Sequence, residues 1–325
     1  MNTGIRENLT LNRVALRSLC VMLLFVQSLS LVARRTTFTA VGKRSSRFVT
    51  SRNLSTVAAS RLSIADTPLG TQKGVELLDG LDVYSVPNQM DGHPLSVYGI
   101  NSSEPKENGS VLLMLHGRTW SSVPVYHLMG GPRHAKQGLE SRSLMEELLD
   151  NDIQPYCMDF RGFGGTPKDS TGGVEPNRCV EDVESVLEWI SDRHPNAEVN
   201  LMGWSQGALV AQLAGQRSHP PFSKLILYGS IYDPMVRYPC EPLYVKNKVN
   251  PVDIENTYDA AVEDFTIEGT IPPEPAKIFA EAALISDPVK AVWKNLYEFN
   301  NCDPARVHLP TLVVSVAYAK IVLMS

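Results

Sequence analysis

Gly203-Trp204-Ser205-Gln206-Gly207 sets one hydroxyl between two glycines, after the apolar run Val199–Met202 and before Ala208-Leu209-Val210-Ala211. Where a strand turns sharply into a helix, the corner residue is forced into a strained backbone conformation. Its neighbours two positions away must lack side chains so that strand and helix can close up. Such a corner holds a serine hydroxyl clear of the sheet, where it can attack an acyl carbon. The spacing reads as a nucleophile elbow, with Ser205 as nucleophile and Gly203 and Gly207 as scaffold. An ordinary strand-turn-helix corner with an incidental serine would use the same residues. The apolar strand before and the helix opening after favour the chemical reading.

Other elements must bring partners to that serine. Asp82–Val86 and Leu95–Ile100, separated by the turn signal Asp91-Gly92, read as an antiparallel start to a sheet. Ser110–Leu115 is a continuous apolar run of the kind buried on both faces of a parallel sheet. It leads into His116-Gly117-Arg118-Thr119-Trp120. By itself this reads as any strand ending in a glycine turn; upstream of an elbow, the backbone N–H of Arg118 (or Thr119) would pair with that of Gln206 to hold the oxygen of a tetrahedral intermediate. His116 reads as a structural residue bonding loop backbone, with Gly117 beside it as scaffold.

Leu139–Leu149 has helical spacing, and Ile153–Met158 is the next strand, ending in Asp159-Phe160-Arg161-Gly162-Phe163-Gly164. Arg161 is expected to tie that loop, to Asp159 or to nearby carbonyls. Cys179–Ile190 is amphipathic, with Val180, Val183, Val186, Leu187 and Ile190 on one face. Lys224–Tyr228 is one more buried strand.

Strands alternating with helices predict a doubly wound, mostly parallel α/β sheet. His-Gly after one strand, Asp-x-Arg-Gly-x-Gly after the next and Gly-x-Ser-x-Gly after the third resemble the α/β-hydrolase superfamily. The nearest resemblance is to its lysophospholipase-like or serine-aminopeptidase-like branch, over roughly Asp82 to Val314. It implies a serine hydrolase cleaving an ester, lipid or related acyl substrate through an acyl-enzyme on Ser205. It also implies a helical lid after the family's sixth strand, here at about 233–301. Within that lid Pro288 is expected to start the best helix, with Val289, Val292, Trp293, Leu296 and Tyr297 on one face. Pro275–Ile285 is expected to be a weaker one. Esterase, lysophospholipase, thioesterase and peptidase activities all fit the pattern.

The family places the triad acid and histidine in that order after the serine. Asp233, just past the sixth strand, is the candidate acid. His219 and His308, the two histidines that follow Ser205, both fall at the wrong end of the sheet for a base. Leu309–Val314 reads as the seventh strand, and Ser315–Ser325 brings neither carboxylate nor histidine. The expectation is a C-terminally truncated hydrolase lacking its last strand and helix, impaired by loss of the triad histidine. Val314-Ser315 is what an unspliced intron donor would encode. The alternatives are a non-catalytic ligand-binding protein of the same fold and an inactive fragment.

Charge divides the chain in two. Residues 1–62 carry ten Lys/Arg and one acid, leaving 20 basic against 34 acidic residues beyond. So acidic a body is a poor partner for nucleic acid or anionic lipid. Residues 1–62 read as an address: Arg13 and Arg17 precede the apolar run Leu19–Val26, and a Ser/Thr- and Arg-rich stretch without acid follows. The tandem pattern resembles bipartite presequences directed to plastids. A mitochondrial presequence and a secretory-pathway anchor near Val14–Ala33 are the alternatives. After processing, residues 63–325 would form the hydrolase domain with no stable transmembrane span. The scattered cysteines Cys20, Cys157, Cys179, Cys240 and Cys302 suggest small buried hydrophobes, not a zinc site or disulfide framework. No cofactor or metal is expected, and the substrate is a small-molecule or lipid acyl compound.

Overall fold

The computed structural model describes residues 58–67, 69, 71–100, 109–243, 253–265 and 272–315. The address signals before Val57 and the terminal stretch 316–325 lie outside the described residues. Among the described residues no helix is long and apolar enough to cross a membrane.

The chain builds, in order, β1 (Ser60–Leu62), α1 (Gln72–Leu77), β2 (Leu81–Pro87), β3 (Pro94–Ile100) and β4 (Ser110–Leu115). Three short helices follow, α2 (Ser122–Tyr126), α3 (Gly131–Lys136) and α4 (Leu144–Asp150), and then β5 (Ile153–Met158). Next come α5 (Pro176–Arg193), β6 (Glu198–Trp204), α6 (Gln206–Gly215) and β7 (Leu225–Tyr228). The last elements are α7 (Tyr258–Phe265), α8 (Pro273–Ser286) and β8 (Thr311–Val314).

Eight strands form one sheet in the order β1-β2-β3-β5-β4-β6-β7-β8. β1, β2 and β3 join antiparallel, and β5, β4, β6, β7 and β8 run parallel to one another. The chain crosses from β4 out to β5 and then back past β4 to β6, so its winding reverses at this central strand. The carboxyl ends of the five parallel strands lie along one edge, where an open α/β sheet binds its ligands. β1 extends the sheet into the segment read as an address. Ser60 to Leu62 pair with Ser85 to Val83, and Arg61 is ion-paired to Asp82, so the fold starts before residue 63.

The core lies on both faces of the parallel strands. Val180, Val183, Val186, Leu187 and Ile190 of α5 are all buried against one face, as their spacing predicts. Each such side chain contributes roughly 1.5–3 kcal/mol relative to exposure. α6 is buried along its whole length. Met145 and Leu148 of α4 pack on the opposite face. Three cysteines, Cys157, Cys179 and Cys302, are buried and unpaired as expected, whereas Cys240 is exposed.

Two local expectations are overturned. Arg161 does not bond Asp159; it reaches Asp182 (2.7 Å), Asp91 (2.7 Å) and Asp169 (3.1 Å). It is buried, and three carboxylates converge on its planar fork, which is how a guanidinium tolerates loss of water. The second correction is at Pro288, where no helix begins. Residues 288–295 form an extended strap instead. Lys290 N–H donates to Ile254 O, Lys294 N–H to Val174 O, and Val174 N–H to Val292 O. With its backbone groups committed to distant segments, the strap cannot make helical i to i−4 bonds. Its side chains alternate, Ala291 and Trp293 being buried and Val292 and Lys294 only partly so. Helix arrives only as a 3₁₀ turn at Leu296–Asn301, after Asn295 in a left-handed conformation (φ 52°). The segment expected to be the weaker helix is the long one, α8, started by Pro273 at its first turn.

Candidate active site

Ser205 sits between β6 and α6 with φ 55° and ψ −118°. A non-glycine residue holds such a backbone only when its surroundings over-determine it, at roughly 1–3 kcal/mol. Here the surroundings do so. A Cβ on Gly203 would lie 2.3 Å from Gly207 O, and one on Gly207 would lie 2.2 Å from His116 O. Strand and helix thus touch backbone to backbone, and the helix start touches the loop after β4 in the same way. The Ser205 N–H donates to Tyr228 O on β7 (2.9 Å), which fixes the corner from the third side. The side chain is half-buried.

His116 and Gly117 bring the loop after β4 against this corner. A Cβ on Gly117 would lie 3.3 Å from Ser205 Cβ. Within the loop, His116 Nδ1 bonds Gly117 O (2.8 Å), and its Nε2 accepts the Phe160 N–H (3.0 Å). That pairing requires the neutral ring with its proton on Nδ1. Complete burial agrees, holding the imidazole down at about 4. Phe160 and Phe163 flank the ring at 4.6 Å. Arg118 follows, half-buried, its carbonyl accepting the Trp293 Nε1–H (3.1 Å). Gln206 opens α6, where the first N–H groups have no acceptor within the helix. Its carboxamide is buried, and neither its oxygen nor its nitrogen finds a partner among the described residues.

The remaining candidates lie apart. Asp233 is exposed, and its carboxylate accepts the Met235 N–H (2.8 Å) in a local turn. His308 is exposed just before β8, whose parallel register with β7 puts it at the amino end of the sheet, away from Ser205. His219 is exposed beyond α6. All seven histidines of the sequence fall among the described residues. His93, His127, His134 and His194 bond Pro167 O, Ser143 Oγ, Gly130 O and the Tyr156 hydroxyl respectively. None of the seven hydrogen-bonds the Ser205 hydroxyl. Among the described residues no cluster of His, Cys, Asp and Glu could hold a metal ion.

Two buried carboxylates stand behind the loop: Asp159, expected only as a partner of Arg161, and Asp287. Asp159 accepts the Tyr98 hydroxyl (2.7 Å), the Ser122 N–H (2.8 Å) and hydroxyl (2.6 Å), and the Gly165 N–H (3.0 Å). Asp287, one residue past α8, accepts the Ser121 N–H (2.7 Å) and the Gly164 N–H (3.0 Å). The pair therefore divides two consecutive N–H groups in each of two loops. Burial pushes the Asp287 carboxyl up to about 7, and the Asp159 charge acts in the same direction. Asp287 follows helix-forming residues and precedes a proline, so its local sequence signals a helix boundary and nothing more.

A family model described as "Serine aminopeptidase, S33" matches residues 124–252. The sheet order and the serine corner are those of an α/β-hydrolase fold, and the matched stretch runs from α2 through the serine corner and β7. An uncharacterized protein of Rickettsia prowazekii (strain Madrid E) is 37% identical over 65 residues, 20% of this chain and 26% of that protein. The match thus spans about a quarter of that relative. Among solved structures, an esterase of Pyrococcus furiosus is 17% identical, with a TM-score of 0.40 over 81% of this chain and 77% of its own. A putative aryl esterase from Burkholderia cenocepacia is 15% identical, with a TM-score of 0.42 over 71% and 78%.

Proposed function

We propose that the chain is a serine hydrolase that cleaves an ester, lipid or related acyl substrate at Ser205. The observation that carries the reading is the strained serine backbone, enforced by two glycines whose replacement would drive a Cβ into backbone atoms. The Ser205 oxygen bonds to the acyl carbon, and the leaving alcohol, thiol or amine departs with a proton. Water then releases the acid and restores the hydroxyl. The N–H groups of Arg118 and Gln206 would hold the oxyanion, supported by the close seating of Gly117 on Ser205. The segment between β7 and β8 would act as the lid, and Asp233 as the acid, although its carboxylate is occupied by a turn.

That none of the seven histidines hydrogen-bonds the Ser205 hydroxyl supports the reading that the serine is without its base in this chain. Loss of that group from a serine site costs about six decades in turnover, and the oxyanion hole leaves weak residual catalysis. Turnover by this chain would be correspondingly slow. The same observation favours a second reading, a ligand-binding protein that uses the site without chemistry.

A fluorophosphonate probe separates the two. Covalent labelling that disappears in Ser205→Ala supports the hydrolase. A folded protein that stays unlabelled while binding acyl ligands would replace it with the binding role.

A further inference from the structure

Three residues of the loop after β4, Arg118, Trp120 and Ser121, are held by the segment between β7 and β8, each through a different group. The Arg118 carbonyl accepts from Trp293 Nε1 (3.1 Å). Trp120 Nε1 donates to Asp264 Oδ2 on α7 (3.0 Å). The Ser121 N–H donates to Asp287 Oδ2 at the end of α8 (2.7 Å). The Trp120 ring is buried edge-on to Phe279 of α8 (6.2 Å). Asp287 extends the tie to a second loop through the Gly164 N–H. A segment that merely covered the site would touch this loop by apolar packing alone. These contacts are directional, two of them engage loop backbone, and the Asp287 acceptor is fully buried.

We propose that this inserted segment is a positioning element: Trp293, Asp264 and Asp287 together set the conformation of the loop His116–Ser121. Seating of the insert and competence of the Ser205 site are thus one equilibrium. The link to catalysis rests on the serine-hydrolase reading, whereas the mechanical coupling stands independently of it. The physical basis is the position of the Arg118 N–H. The peptide that carries this N–H is held at its Gly117 carbonyl by His116 Nδ1 (2.8 Å), and the next peptide is held at the Arg118 carbonyl by Trp293. If the insert lifts, the second anchor is lost and the donor is free to turn away. An error of about 1 Å in such a group reduces reactivity by about a hundred-fold.

The test combines amide hydrogen exchange with fluorophosphonate labelling of the full chain. Asp287→Ala and Asp264→Ala are each expected to speed exchange in peptides covering 116–122, and Asp287→Ala also in those covering Gly164. Labelling of Ser205 is expected to slow at least ten-fold in both variants. Asp264 is exposed, so its replacement leaves the protein folded even where Asp287→Ala does not. Asp264→Asn keeps a carbonyl acceptor for Trp120 and is expected to restore most of the labelling rate, which a general loss of stability would not do. Asp259→Asn, on the same helix and away from the loop, serves as the control.

Unchanged exchange over 116–122 in Asp264→Ala would overturn the proposal, as would faster exchange confined to the insert. If the parent protein never labels at Ser205, the hydrolase reading falls, while the exchange data still decide the coupling.

Discussion

The loop His116–Ser121 is gripped from two sides, and the two grips differ in kind. On the elbow side it meets backbone: Gly207 stands so close to the His116 carbonyl that no Cβ fits, and Gly117 rests on Ser205. On the insert side it meets side chains, the indole of Trp293 and the carboxylates of Asp264 and Asp287. Backbone contact permits neither substitution nor movement. Side-chain contact can be broken and remade, and one of its members, Asp287, changes charge near neutral pH. One wall of the site is therefore fixed by packing, and the opposite wall is held by bonds that conditions can alter.

The contrast is most directly broken at the elbow. Gly207→Ala puts a methyl 2.2 Å from a backbone oxygen that has no room to retreat. A loss of about 3 kcal/mol or more is expected, read as a large fall in melting temperature or the absence of folded protein. A variant melting within two or three degrees of the parent would show that the elbow is not closed by backbone contact.

On the insert side the expected effect is smaller and depends on pH. The Asp287 carboxyl stands at about 7 in the fold against an ordinary 3.8. The folded state thus binds this proton more tightly than the unfolded chain does. Its contribution to stability is full below about 4 and is lost as pH rises to about 7, on the order of 4 kcal/mol in all, of which about 2–3 kcal/mol falls between pH 5 and pH 8. Asp159, from the loop after β5, is the charge that faces it, itself bonded to the Tyr98 hydroxyl; from the insert, the Asn256 amide bonds the Asp287 main chain. In Asp287→Asn the side chain cannot ionise. Urea midpoints measured at pH 5 and pH 8 are expected to fall further in the parent than in this variant. Equal falls would remove Asp287 as the titrating group.

The smallest effect expected concerns Ser205 itself. Glycine adopts φ 55°, ψ −118° with little strain, so Ser205→Gly is expected to raise stability by about 1 kcal/mol while abolishing probe labelling. Calorimetry would check the gain. A destabilised variant would mean that the serine side chain contributes packing or bonding that outweighs its backbone strain.

Much of the fold was legible because its signals are local. The runs Ser110–Leu115 and Ile153–Met158 became β4 and β5 with those boundaries, since burial on both faces of a parallel sheet demands uninterrupted apolar residues. The α5 face was legible from its period. Pro288 misled for the opposite reason. Proline after Ser-Asp is a sound helix start, yet the residues beyond it were claimed by Ile254 and Val174 from elsewhere in the chain. Arg161 illustrates the same limit. Its motif signals a structured loop, but its partners Asp91 and Asp182 lie 70 and 21 residues away.

By itself the sequence determined the serine corner. Gly203, Ser205 and Gly207 are contiguous, and their constraint is one of backbone geometry within a single turn. It also determined the order of motifs that carries the resemblance to the α/β-hydrolase superfamily. Only the tertiary structure decided what holds the loop opposite that serine. Ser121 and Asp287 are 166 residues apart, and Trp293 and Arg118 are 175 apart. An Asp at a helix end or a Trp in an apolar run carries no mark of such a distant partner. Those bonds exist because the sheet delivers its loops to one edge and the insert folds back across them.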